Sequence, residues 1–216
     1  MRFRNEEIPD CIFSSNNGLG IPNLSLDWQA QYVALPFWPW GKVNRRAKEQ
    51  AATWQFYIKD AKFSFLWARP WIIYDTGCIN ICEINYSLNE DMPRVVGMWR
   101  TYQKRFISAY LGGLGVKIFV DLNVPDNFRK INMCGVPDGW RAYATRGYNG
   151  KSDEDLIKDY EIAKKRAYHP ELNISADVVF VLYGGGLHAK KLAKEMNWIY
   201  IQEEAHKTDK QVRNDG

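Results

Sequence analysis

The stretch "ADVVFVLYGGGLHAKKLAKEMNWIYIQEE", residues 176–204, decides the fold. Its first part is a short apolar, β-branched run that reads as a strand buried on both faces. Three glycines, Gly184, Gly185 and Gly186, stop that run. "LHAKKLAKEM" follows as a basic helix, and "WIYIQEE" as a last strand. Two strands joined through a helix run parallel, because a parallel pair needs a long crossover where an antiparallel pair needs only a hairpin.

The same alternation extends backwards. "WRAYATRGY" (140–148) reads as a strand, and "SDEDLIKDYEIAKKRAY" (152–168) as a helix whose acidic start and basic end suit the helix dipole. "VKIFVDLNV" (116–124) is a strongly apolar strand. Before it, "DMPRVVGMWRTYQKRFISAYLGGLG" (91–115) is the clearest helix, with Asp91 placed to cap, Pro93 in the first turn and glycines to stop it. Val95, Trp99, Tyr102, Phe106 and Tyr110 recur at helical spacing and predict its buried stripe. "PWIIYDTG" (70–77) and "INICEINYS" (79–87) read as the first strands. The expected fold is α/β, a single domain with a mainly parallel sheet, either open or a partial β/α barrel.

The N-terminal third lacks that regularity. Residues 1–70 read as an irregular arm followed by an aromatic cap, 71–205 as the β/α core and 206–216 as a polar tail. Six of the nine tryptophans lie between Trp28 and Trp71 among prolines. Such residues pack a loop-rich cap onto a core, or offer stacking surfaces to bases or sugars.

The chain's 216 residues suit one domain, and its net charge of +4 permits nucleic-acid contact without requiring it. Lys42, Arg45, Arg46 and Lys48 form one acid-poor basic stretch. Arg94, Arg100, Lys104 and Arg105 give the main helix a second, and both are candidate contacts for nucleic-acid phosphates. No run of about 20 apolar residues suggests a membrane span, and no N-terminal apolar run a signal peptide, so a cytoplasmic protein with no membrane partner is expected. Cys78 and Cys82 have neither zinc-ribbon nor thioredoxin spacing and read as buried thiols in a reduced protein.

In parallel sheets ligands gather at the carboxyl ends of strands. That rule selects Glu83, Asp121 and Arg146 as catalytic candidates, and Asn85, Asn123, Thr145, Gly184, Gly185 and Gly186 as ligand-binding ones, with Glu203 and His188 nearby. The glycines suit a phosphate seat or a tight turn of positive φ, but match neither the P-loop nor the dinucleotide fingerprint. Asp121 and Asn123, two apart, could ligate magnesium or simply shape a strand end. The three histidines form no metal motif, and no metal site is assigned. No Gly-x-Ser-x-Gly elbow appears.

Asp60, Phe63, Trp67 and Pro70, then Asn85-Tyr86-Ser87, Met92-Pro93, Tyr102, Gly135-Val136-Pro137 and Tyr183-Gly184 form a further pattern. It resembles an uncharacterised family of small proteins from bacteria, phages and plasmids, and covers roughly residues 55–186. Asn85 stands where that family carries an aspartate; if that aspartate is catalytic, this chain is inactive or uses Asp121. The resemblance implies an α/β fold and a mobile-element setting, and it supplies no reaction. The expectation is therefore a phage- or plasmid-associated protein that binds or processes nucleic acid. The alternatives are a small-molecule enzyme acting on a nucleotide, nucleobase or glycosyl substrate, and a non-catalytic accessory binding protein.

Overall fold

The computed structural model describes residues 13–41, 52–148, 151–169, 174–175 and 177–203. Seven strands make one sheet, all parallel and in nearly sequential order: β1 (Phe37–Pro39), β2 (Thr53–Gln55), β3 (Asn80–Cys82), β4 (Lys117–Asp121), β5 (Ala142–Gly147), β8 (Val179–Gly184) and β9 (Ile199–Ile201). A two-residue ladder between β6 (Tyr168–His169) and β7 (Ile174–Ser175) stands apart and is antiparallel. The sheet curls until Phe37 of β1 meets Tyr183 of β8, ring centroids 5.7 Å apart, so it approaches a β/α barrel.

Side-chain parity follows from the register. Cys82 pairs with Phe119, Asp121 with Ala144, and Arg146 with Tyr183, and these residues face the concave interior. Residues one step away, such as Thr145 and Phe180, face the helices. Helix α2 (Arg94–Gly113) covers β3 and β4, while α4 (Asp153–Ala167) and α5 (Gly186–Glu195) cover β5, β8 and β9. Short helices α1 (Trp71–Tyr74) and α3 (Arg129–Asn132) complete the layer.

The sheet starts earlier than the sequence pattern suggests. The Trp/Pro-rich segment contributes β1 and β2, whose Trp38 and Trp54 pair in register and pack rings 6.5 Å apart. "PWIIYDTG", expected as a strand, is instead α1: Ile73 and Asp75 amides bond back to Pro70 and Trp71. Proline favours such a first turn because its fixed φ suits the helix and its missing N–H is not needed there. In α2, Pro93 takes the N-cap position without a side-chain cap, so Asp91 does not cap it.

The buried face of α2 also differs from the expected stripe. Val95 is 66% exposed, whereas Lys104 and Arg105 are 4% and 0% exposed. Two glycines notch this helix: a Cβ on Gly97 or Gly112 would strike the ring of Phe128 or Trp28. Helix α4 behaves as its charges predict, with a capping box between Ser152 and Asp155 and Lys164, Lys165 and Arg166 in its last turn. Cys78 and Cys82 are free and buried, and Cys134 is free and partly buried. Among the described residues no helix is long and apolar enough to cross a membrane.

Candidate ligand cleft at the carboxyl edge

Because all seven strands are parallel, their carboxyl ends share one edge, and a cleft of about 580 Å³ opens there. Pro39 at the end of β1 and Trp40 after it, Tyr57 to Lys59 and Lys62 beyond β2, and Ser87 beyond β3 line one side. Arg146 of β5, Tyr183 of β8 and Glu203 beyond β9 line the other. Tyr57 and Tyr183 stack at 5.7 Å with their planes 16° apart and form an aromatic wall. Lys59 and Lys62 are exposed and have no counter-ion among the described residues. Arg146 and Glu203 pair at 3.0 Å, each about one-third exposed, and the buried Arg146 Nε has no hydrogen-bond partner.

Beneath the wall lies Asp121, fully buried. The Tyr57 hydroxyl donates to its Oδ1 at 3.1 Å, as does the Asn123 amide, and Asn85 Nδ2 donates to Oδ2 at 3.0 Å. The Lys104 ammonium reaches Oδ2 at 3.5 Å and the Asp121 carbonyl at 3.3 Å. Burial and the Asp121 charge both push the Tyr57 phenol well up, so it stays protonated and keeps donating. Burial pulls the Lys104 ammonium below its usual value, against the attraction of Asp121 and Glu83. Asp121 therefore positions Tyr57 from below and does not line the cleft. Both of its oxygens accept from protein donors, and among the described residues no three His, Cys, Asp or Glu side chains gather as a metal would require.

Glu83 points the other way, into the layer between β3 and α2. Its Oε1 accepts from the Arg105 guanidinium and from Ser108 at 3.0 Å, and its Oε2 accepts the Asp121 amide at 3.2 Å. Burial alone would raise the Glu83 carboxyl, but the Arg105 and Lys104 charges and these hydrogen bonds outweigh it and hold the group below its usual value. Arg105 also donates to the carbonyls of Asn132 and Cys134. Four buried charges, Glu83, Asp121, Lys104 and Arg105, thus cancel within the fold.

Thr145 likewise faces the helices. Its hydroxyl donates to Asp159 at 2.8 Å, and Lys151 joins Asp159, Thr145 and Asn123. Arg129 closes this second lock on Asp159 at 3.2 Å. The structure thus brings Asp121, Asn85 and Asn123 together under the cleft and Arg146 onto its wall, and sends Glu83 and Thr145 to the outer layer.

Gly184, Gly185 and Gly186 all have positive φ, between 70° and 86°. A Cβ on Gly185 would lie 2.6 Å from Ala189 and 3.0 Å from Gly147 Cα, and one on Gly184 only 3.1 Å from Glu203. Those glycines let the ends of β5 and β8 close against α5 and Glu203, so the turn itself requires them. His188 lies on the surface 3.0 Å from Asp153 and ties α5 to α4.

The expected nucleic-acid face of α2 does not form. Lys104 and Arg105 are inside the protein, and Arg100 lies 4.6 Å over the Tyr86 ring while donating to Gln103. Only Arg94 of the four is exposed. The reason is that α2 packs its mid-section on Asp121 and Glu83, so Lys104 and Arg105 are counter-ions and not a surface. Lys42, Arg45, Arg46 and Lys48 lie outside the described residues.

Position at strand ends singled out Arg146 and Glu203 but missed Trp40, Tyr57, Lys59, Lys62, Ser87 and Tyr183. Part of the signal was in the pattern residues: the Asp60 carboxylate accepts the Ser87 amide and hydroxyl, at 2.8 Å for the latter, beside Tyr183 in the same rim.

The sequence model of a family described as domain of unknown function DUF4417 matches residues 13–158. The Gene 1 protein of Mycobacterium phage D29 is 25% identical over 135 residues, 59% of this chain and 48% of that protein. The Gene 1 protein of Mycobacterium phage L5 is 24% identical over 159 residues, 68% of this chain and 66% of that protein. The chain therefore spans between about half and two-thirds of these relatives' length. No solved structure matches.

Proposed function

The chain belongs to the DUF4417 family of domains of unknown function and is similar to two mycobacteriophage Gene 1 proteins, and from that premise we propose that its carboxyl-edge cleft binds a nucleotide. One observation carries this reading: the rings of Tyr57, Tyr183 and Trp40 line the same cleft of about 580 Å³ as Lys59 and Lys62, two lysines with no counter-ion among the described residues. Flat rings suit a base, and unpaired ammonium groups suit phosphate. The Arg146–Glu203 pair adds a donor and an acceptor for sugar hydroxyls or base edges. Among the described lining residues Glu203 is the one carboxylate, which makes it the candidate general base of the site. Asp121 serves the site indirectly by holding the Tyr57 hydroxyl.

A thermal-shift titration with thymidine and adenosine mono- and triphosphates tests the reading. The melting temperature should rise with nucleotide concentration, as mass action requires of a ligand that binds the folded state alone. In Lys59→Ala/Lys62→Ala the apparent Kd should weaken by about 10- to 100-fold, the range expected when charge-assisted hydrogen bonds are lost. Both lysines are exposed, so the variant's own melting temperature should stay near wild type. No shift at millimolar nucleotide, or an undiminished shift in the variant, would remove the proposal.

A further inference from the structure

Strand β9 is the last strand of the sheet, and among the described residues no further helix lies beside α5 there; a groove of about 640 Å³ runs between helix and strand. The half-buried Tyr200 of β9 forms its floor beside the buried Trp198, whose ring packs against Tyr160 and Phe180, and Leu187, Lys190, Lys191 and Lys194 of α5 form its wall. Among the described residues no acidic one lines it. Lys190 and Lys194 have no counter-ion among the described residues and sit one helical turn apart, a rise of about 6 Å. Lys191 has only a loose, exposed ion pair with Glu195 at 3.8 Å. Leu187 is 86% exposed at the upper end, and Tyr200 bonds to the Gly186 carbonyl there.

We infer that this edge groove is a binding site for single-stranded nucleic acid. Lysines in a row track a phosphate backbone, and the half-buried Tyr200 and exposed Leu187 beside them offer an aromatic and an apolar contact to unpaired bases. Duplex binding would call for an element that enters a groove, and α5 is instead packed along its length against β8 and β9. An acidic protein segment satisfies the charge but makes no use of the Tyr200 ring. The groove is independent of the nucleotide cleft, since the two sites share no lining residue.

Fluorescence anisotropy with a labelled oligothymidylate of about ten nucleotides, over a series of salt concentrations, tests it. Wild-type protein should bind at low salt, and Lys190→Ala/Lys194→Ala should bind at least tenfold more weakly. The slope of log K against log salt should shrink by about 1.4, or about 0.7 for each single-strand phosphate that a lysine no longer neutralises. Thymidine monophosphate should still shift the melting temperature of this variant as it shifts wild type, which separates the groove from the cleft. The inference falls if wild type fails to bind, if the variant keeps the full slope, or if oligoglutamate competes as well as the oligonucleotide. It also falls if Lys59→Ala/Lys62→Ala, and not the α5 variant, abolishes binding.

Discussion

Glu83→Gln should lower the unfolding free energy by about 3–5 kcal/mol, the usual consequence of removing one partner from a buried ion pair. Arg105 is fully buried and finds its one anionic partner in Glu83, so the amide would leave a guanidinium charge uncompensated in the layer between β3 and α2. Urea unfolding should show a lower midpoint at an unchanged slope. The pH dependence gives a second reading of the same group. Glu83 is held below its usual value of 4.5, so its contribution is complete above that pH and is lost as pH falls through the depressed folded value. The variant should therefore lack that part of the acid limb of the stability profile. A stability within about 0.5 kcal/mol of wild type, the range of ordinary surface substitutions, would mean that the pair is not a structural lock.

Gly185→Ala should be the other severe substitution, with a loss of roughly 2–5 kcal/mol from a left-handed backbone and overpacking together. The residue has φ of 86°, and its new Cβ would lie 2.6 Å from Ala189 Cβ and 3.0 Å from Gly147 Cα. Neither neighbour is the end of a flexible side chain that could swing away. Gly186→Ala supplies the contrast, since its φ of 70° carries strain but no atom lies within 4 Å. It should cost about 1–2 kcal/mol, the backbone term alone. Thermal or urea unfolding of both variants checks the order; equal losses would contradict the packing role given to Gly185.

The parallel core was legible because its strands are continuous apolar runs separated by helices with matched end charges, as in "VKIFVDLNV" and "SDEDLIKDYEIAKKRAY". β1 and β2 were not, because each is three residues long, Phe-Trp-Pro and Thr-Trp-Gln, too short for any period to emerge. The site was half legible for a different reason. Knowing that ligands gather at carboxyl ends selects the strand ends, but facing alternates with every residue, and only the register says which parity turns inward. That one step sends Thr145 to the helices and Arg146 to the cleft. Lys104 and Arg105 misled for the complementary reason: a buried acid on a neighbouring strand turns a helix's cations inward, and no local pattern announces such a partner.

A crystal structure of the protein grown with thymidine monophosphate tests the nucleotide-cleft reading most directly. The base should lie against the Tyr57–Tyr183 wall and the phosphate within hydrogen-bond distance of Lys59 and Lys62, with Arg146 and Glu203 facing the sugar or the base edge. A nucleotide bound elsewhere, or a cleft that stays empty at saturating concentration, would contradict it.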